Sequence, residues 1–336
     1  MKKNLILINL ILVTFFLSCS TEETIENENY SDDIETSNNT ESLEVSNISY
    51  YAYVEENSFE FRHYFENGNL TSVNQYYYFS DSEIDLKKFE YNTNNKIENI
   101  TEWTSSGTLS KSHDFIYDDN GKLSSIEIYD RYTFSGITDY TYNLEYSNND
   151  NTINYFKPEY GSIREDGETN IYSASKYTIE LNENNLVSRF QKDYEDYDYD
   201  GNIENTELTF KEEFIYDENE NCISASRIDN FLTPNLTTYN YSFDDQINPL
   251  YSFYKNNYLA LFIYLEENNH VYYWNTMSDN IKDFSKNNFN SSTPDIYINP
   301  YYLHNYENNY NDNDITSRVV KRSSNNQVLG TFVYQY

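Results

Sequence analysis

Positive charge, glycine, proline, cysteine and histidine are all scarce in this chain of 336 residues. Lys and Arg number 22 against 56 Asp and Glu, a formal charge of −34. A field of that sign repels phosphate backbones and anionic head groups, so nucleic acid is excluded as a partner. The four histidines, His63, His113, His270 and His304, lie far apart at no metal-ligand spacing, and each reads as a surface or strand position. There is no HExxH, no G-x-S-x-G and no phosphate loop, so no motif supports an enzyme. Carboxylates are too abundant for any pair of them to be singled out as a glycosidase dyad. Only one long apolar run occurs, over residues 5–17, and it is well short of the roughly 20 residues that span a bilayer.

That run follows Met1-Lys2-Lys3 and ends in Phe16-Leu17-Ser18-Cys19. A positive start, a short apolar stretch and a small residue before cysteine make a secretory signal over residues 1–18. The last four residues resemble the lipobox of bacterial lipoproteins, which implies lipidation of Cys19 and a membrane partner through that lipid. Loss of the leader removes Lys2 and Lys3 and no acid, taking the charge to −36. Residues 19–47 are polar and read as a disordered acidic tether. Its Ser20-Thr21-Glu22-Glu23 is similar to the surface-export signal of Bacteroidetes lipoproteins, with a periplasm-facing domain as the alternative. Cys222 then has no disulfide partner and reads as a buried or half-buried small residue.

Residues 48–336 carry the folded domain. The whole chain holds 38 Tyr and 20 Phe against 8 Gly and 5 Pro, a composition of strands. Period-2 alternation recurs, as in Leu123, Ser125, Glu127 and Tyr129 against Ser124, Ile126 and Ile128. The domain also repeats itself. Phe89-Glu90-Tyr91-Asn92-Thr93-Asn94-Asn95-Lys96-Ile97 aligns with Phe115-Ile116-Tyr117-Asp118-Asp119-Asn120-Gly121-Lys122-Leu123, and with the stretch from Phe214 to Ile223 if one residue is inserted. Looser copies centre on Tyr146, Leu181 and Phe65. In each an aromatic strand ends, an Asx-rich turn follows and a strand opens on an aliphatic residue. The expected fold is all-β: a long antiparallel meander of hairpins curled into a rolled sheet or barrel-like shape.

Tyr117-Asp118-x-x-Gly121-x-Leu123 resembles the YD repeat of RHS-type bacterial surface proteins. Together with Tyr241-Ser242-Phe243-Asp244-Asp245-Gln246-Ile247-Asn248-Pro249-Leu250, it is similar to Bacteroidetes lipoproteins carrying a porin-like-fold domain of unknown function. The resemblance implies a curled antiparallel sheet and brings no active site with it. One or two short helices are expected near 249–288, because Leu250, Phe253, Tyr254, Tyr258, Leu261, Phe262 and Leu265 fall at helical spacing behind an Asn248-Pro249 start. They read as caps over an open end of the sheet.

Two further candidates carry chemistry. Asp196, Asp198, Asp200 and Glu207, with Gly201 at the turn, match a calcium loop, a structural calcium being the only cofactor in prospect. The competing reading is a hairpin with Asp200-Gly201 as a two-residue turn. Trp103 and Trp274, with Tyr76-Tyr77-Tyr78, Tyr272-Tyr273 and Tyr301-Tyr302, are candidate aromatic platforms for a sugar or a partner. The functional expectation is a non-catalytic binding or structural domain of an outer-membrane, cell-surface lipoprotein, its partner a glycan or an envelope protein. The alternatives are a polysaccharide-acting enzyme and a calcium-stabilised adhesin-like module. A transmembrane β-barrel is disfavoured by acidic turns and by charges on both strand registers.

Overall fold

The repeated turns share one geometry. The first turn residue, Asn92, Asp118 or Asp217 after a tyrosine and Asn182 after Leu181, donates its N–H to the carbonyl four residues on, at 2.8–2.9 Å. Its side-chain oxygen accepts the N–H groups two and four residues on, at 2.8–3.1 Å. The fourth loop residue takes positive φ: Asn95, Gly121, Asn185 and Glu220. Asn and Gly tolerate that conformation, and the side chain supplies the bonds that a two-residue turn would take from the backbone. These backbone bonds also hold the exposed Asp118 carboxyl below the ordinary carboxylate range. The Asp217 copy needs no inserted residue: Cys222 takes the buried place of Leu123, and Ile223 points outward.

The computed structural model describes residues 45–52, 59–77, 81–131, 139–163, 169–198, 201–230, 235–269, 281–294, 304–311, 314–322 and 328–335. Among these the strands are β1 (Asn47–Ala52), β2 (Phe59–Glu66), β3 (Asn69–Tyr77), β4 (Ser82–Tyr91), β5 (Ile97–Trp103), β6 (Leu109–Tyr117) and β7 (Leu123–Asp130). They continue as β8 (Asp139–Asn143), β9 (Glu145–Ser147), β10 (Thr152–Ile163), β11 (Thr169–Leu181), β12 (Val187–Tyr197), β13 (Ile203–Tyr216), β14 (Cys222–Asp229) and β15 (Asn235–Ile247). After helix α1 (Tyr251–Asn269) and a 3-10 turn at Ile281–Phe284 come β16 (Asn287–Pro294), β17 (His304–Asn311), β18 (Asp314–Arg322) and β19 (Val328–Gln335).

Pairing is antiparallel throughout, neighbour to neighbour, and β19 returns to β1 through Asn47↔Gln335 to Ala52↔Gly330. The fold is therefore all-β, a nearly closed barrel-like sheet of 19 strands. Among the described residues its thinnest seam is β16–β17, paired at Ser291↔Asn305 alone. There Arg318, fully buried, reaches over β17 to bond Asn308 and Asn288. Because strands alternate in direction, the Asx turns after Tyr91, Tyr117, Leu181 and Tyr216 all fall on one rim. The outer faces carry exposed acids, among them Glu90, Glu98, Asp114, Glu127 and Glu213.

Inside lies α1. Asn248 caps it, its Oδ1 accepting the Leu250 N–H at 2.9 Å, and Pro249 follows at a position where a missing N–H costs nothing. The helix runs 19 residues, longer than the short helix the spacing predicts, and it does not cap an end. It enters at the Asx-turn rim and occupies the lumen, with Tyr258 and every residue from Ala260 to Glu267 buried. A helix apolar all round has to be interior. Burying Phe253, Leu261, Phe262, Ile263 and Leu265 stabilises on the order of 10 kcal/mol, so α1 belongs to the core and is not a removable stopper.

Candidate functional site

The lumen has two zones along α1. Near the Asx-turn rim it is aromatic. Phe262 meets Phe190 edge-on at 5.2 Å, and Phe284 packs on Tyr254 and Tyr258 at 5.1 and 5.2 Å. A ring ladder crosses the wall behind it, Tyr142 to Tyr155 at 5.3 Å, Tyr155 to Tyr177 at 4.6 Å and Tyr177 to Phe190 at 5.8 Å.

Here the insertion also completes the sheet. The bulge after each Asx turn leaves the N–H of the strand-opening residue without a ladder partner. Asn257 Oδ1 accepts the Ile97 N–H at 2.7 Å, the Tyr258 hydroxyl accepts that of Val187 at 3.3 Å, and Ser285 Oγ accepts that of Cys222 at 3.0 Å. The repeat tyrosines hold backbone carbonyls near the same strand starts. Tyr91, Tyr117, Tyr146 and Tyr216 donate to the carbonyls of Leu70, Ile97, Leu123 and Val187 at 2.6–2.9 Å. Asn257 leaves the helical φ/ψ region to make its bond, which kinks α1.

Around the last turns of α1 the lumen is ionic. Glu267 accepts four donors: Lys111 Nζ at 2.9 Å, Lys157 Nζ at 2.7 Å, and the hydroxyls of Tyr140 and Tyr142 at 2.9 and 2.5 Å. Three residues earlier, the Tyr264 hydroxyl donates to Glu102 at 2.9 Å and receives Lys87, which pairs with Glu102 at 3.0 Å. Burial raises the Glu102 carboxyl, but the charges of Lys87 and Lys111 outweigh it and hold the group at about 2. Burial outweighs Glu102 at Lys87 and lowers its ammonium. At Lys111 burial also lowers, and Glu267 and Glu102 overcome it to raise the group.

His113 sits between these systems, 1% exposed, edge-on to Tyr264 at 5.0 Å, and neither ring nitrogen has a protein partner. Burial, then Lys111, pushes its imidazole down to about 3. Glu266 behaves oppositely. Burial and the Glu212 charge push its carboxyl up to about 8 against Lys192, Arg227 and Lys157. Arg227 ties Glu212 at 3.3 Å and Asp229 at 3.0 Å. Chemically the zone is a lock of alternating charges. Glu212 and Glu266 are two neighbouring carboxylates, both buried.

The residues singled out in the sequence lie elsewhere. Cys19, Asp200, Trp274, His270 and the tyrosines at 272–273 and 301–302 are outside the described residues. Asp196 is half-buried on β12 opposite Asn205, and Glu207 is exposed on β13 opposite Tyr194. The Asp198 carboxylate accepts the backbone and side-chain N–H groups of Asn202 at 2.8 and 3.0 Å. The hairpin closes on Asp198 and Asn202, with Gly201 at φ +82°, and not on a two-residue Asp200-Gly201 turn. Among the described residues no group of three His, Cys, Asp or Glu is placed to hold a metal.

Trp103 is half-buried at the end of β5 with Lys88 Nζ 5.5 Å above its ring, and Tyr76 lies under the Arg62 guanidinium at 3.8 Å. His63 and His113 are on strands but buried, so neither is a surface residue. Cys222 is buried, its thiol pushed far up by burial.

Sequence reading missed Glu266 and Glu267 with the lysines, tyrosines and histidine that hold them. A signal was present. Lys87 and Phe89, His113 and Phe115, Tyr155 and Lys157, and Phe210, Glu212 and Phe214 share strand faces at period 2. A charge alternating onto an aromatic face needs a buried counter-charge.

Comparison with known proteins adds distant likeness only. No family model matches, and no curated protein matches. Among solved structures, a porin-like protein from Bacteroides uniformis is 12% identical, covers 87% of this chain and 97% of its own, and has a TM-score of 0.40. A porin-like protein from Bacteroides vulgatus is 10% identical over 87% and 98%, with a TM-score of 0.36. The Photorhabdus luminescens Tc holotoxin pore is 10% identical over 83% of this chain and 18% of its own, at 0.18. At these values the likeness decides neither family nor function.

Proposed function

We propose that this protein is a lipid-anchored component of a bacterial outer membrane, displaying a non-catalytic β domain that binds or scaffolds a glycan or an envelope protein. Anchorage through Cys19 rests on the leader and lipobox-like residues that end in it, and surface display rests on the acids that follow. The absence of catalysis rests on one observation: α1 fills the lumen and its charges are consumed within the protein, Glu267 by four donors. An interior spent on holding itself together leaves the rims and the outer wall for recognition.

Protease treatment of intact cells tests the reading, with Cys19→Ala as control. The expected result is loss of the protein from unbroken cells and release of the Cys19→Ala variant from the membrane fraction. Protection until the outer membrane is opened would move the domain to the periplasm, and an unchanged membrane fraction for Cys19→Ala would remove the anchor. The neighbouring Glu212 and Glu266 favour one second reading, a polysaccharide-acting enzyme. Sugar release by the parent that Glu212→Gln abolishes would establish it.

A further inference from the structure

We infer that the rim carrying the Asx turns, with Ile215, Ile223 and Ile247 exposed on it, rests on the lipid surface that holds Cys19. The inference deepens the lipoprotein reading and depends on it. The described chain begins at this rim. Val45 is buried, the Ser46 N–H bonds Gln335 O at 2.9 Å, and the Phe65 N–H bonds Ser46 O at 3.0 Å, so residues 20–44 join the anchor to that end. A random coil of 25 residues spans about 25–30 Å on average. The opposite rim lies farther off by the height of the wall, where β13 runs 14 residues at about 3.3 Å each.

On the near rim Ile215 is the last residue but one of β13, Ile223 the second of β14 and Ile247 the last of β15, with 60, 39 and 57% of their surface exposed. The three sit on adjacent strands, and Ile215 pairs with Ser224, next to Ile223. Three partly exposed isoleucines do not hold a free domain on a bilayer. A tether raises the local concentration of the surface to about millimolar, and there a small apolar contact decides which end faces down. The far rim supplies a matched control, since Ile203 and Leu236 are 56 and 53% exposed but lie a wall height away from where the tether leaves.

The test uses the full lipidated chain in phosphatidylethanolamine vesicles with brominated acyl chains. A fluorophore is placed at Ile247→Cys or at Leu236→Cys, Cys222 being buried and Cys19 acylated. We expect the label at 247 to be quenched at least about twofold more than the label at 236, and Ile215→Asn with Ile223→Asn to remove the difference. Equal quenching, or more at 236, from protein that floats with the vesicles overturns the inference and leaves the anchor standing. Unquenched labels at 247 that cross-link copy to copy assign the patch to a second molecule and overturn it too. Failure of the parent to float, as with Cys19→Ala, removes the anchor and this inference together. The labelled parents decide the matter even if the double variant fails to fold.

Discussion

The two zones of the lumen are built by the same strands and filled by the same helix, yet they are held by different physics. Near the Asx-turn rim, Phe190, Phe262, Tyr258 and Phe284 interlock, and polar contact is confined to single bonds closing single peptides, as Asn257 does for Ile97. Around the end of α1, lysines, tyrosines and carboxylates meet inside the lumen. Apolar packing there gives way to Coulomb attraction that offsets a large desolvation cost. The aromatic zone tolerates reshaping, because hydrophobic contact has no sign. The ionic zone does not, because removing one partner strands the others.

Glu267→Ala breaks that balance most severely. It leaves the half-buried Lys157 without its carboxylate and the half-buried Lys111 with Asp130 at 3.6 Å, and stability should fall by about 3–5 kcal/mol in denaturant melts. Replacing Glu267, Lys111 and Lys157 together by Leu, Met and Met should recover most of the loss. A triple variant no better than Glu267→Ala would show that the ionic zone supplies net stability and not only register.

The pH dependence probes the buried ionisable groups. Glu266 at about 8 is raised from 4.5, so its contribution is complete below about 4.5 and is lost as pH climbs through 8. His63 and His113 at about 3 are lowered from 6.5, so theirs is present above 6.5 and lost as pH falls through 3. Stability should therefore decline towards both extremes. Glu266→Gln should flatten the alkaline limb and His113→Phe part of the acid limb. An alkaline limb unchanged by Glu266→Gln would refute the placement of that carboxyl.

In the aromatic zone, Asn257→Ala strands the buried Ile97 N–H and should cost about 1–3 kcal/mol, with exchange at the Ile97 amide accelerated ahead of its neighbours. Normal protection there would mean that the bulge is satisfied some other way. The smallest effect is expected outside both zones. Calcium or chelator should leave the melting of the parent and of Asp200→Asn alike, since Asn202 already occupies Asp198. A calcium-dependent rise in the parent alone would reinstate the loop as a cation site.

Much of the fold was legible because its causes are local. Asn92, Asp118, Asn182 and Asp217 each make a turn from bonds within five residues, and alternation at Ser125 to Tyr129 declares a face without reference to anything distant, although a bulge puts Leu123 on the buried side against its period-2 place. Asn248-Pro249 announced α1 for the same reason. Whether α1 caps the sheet or fills it was not legible from three- and four-residue spacing, although the unbroken apolar run from Tyr258 to Leu265 points inward on every side. The candidate site was the least legible. Glu267 meets Lys111, Tyr140, Tyr142 and Lys157 across 156, 127, 125 and 110 residues of chain.

Turn chemistry, strand faces and the start of the helix thus follow from neighbours in the chain, where a side chain reaches its own backbone. Closure of the sheet, the seat of α1 and the pairing of buried charges arise only once distant segments meet. A charge on a strand face is tolerable or ruinous according to its counter-charge, and here that counter-charge comes from another part of the chain.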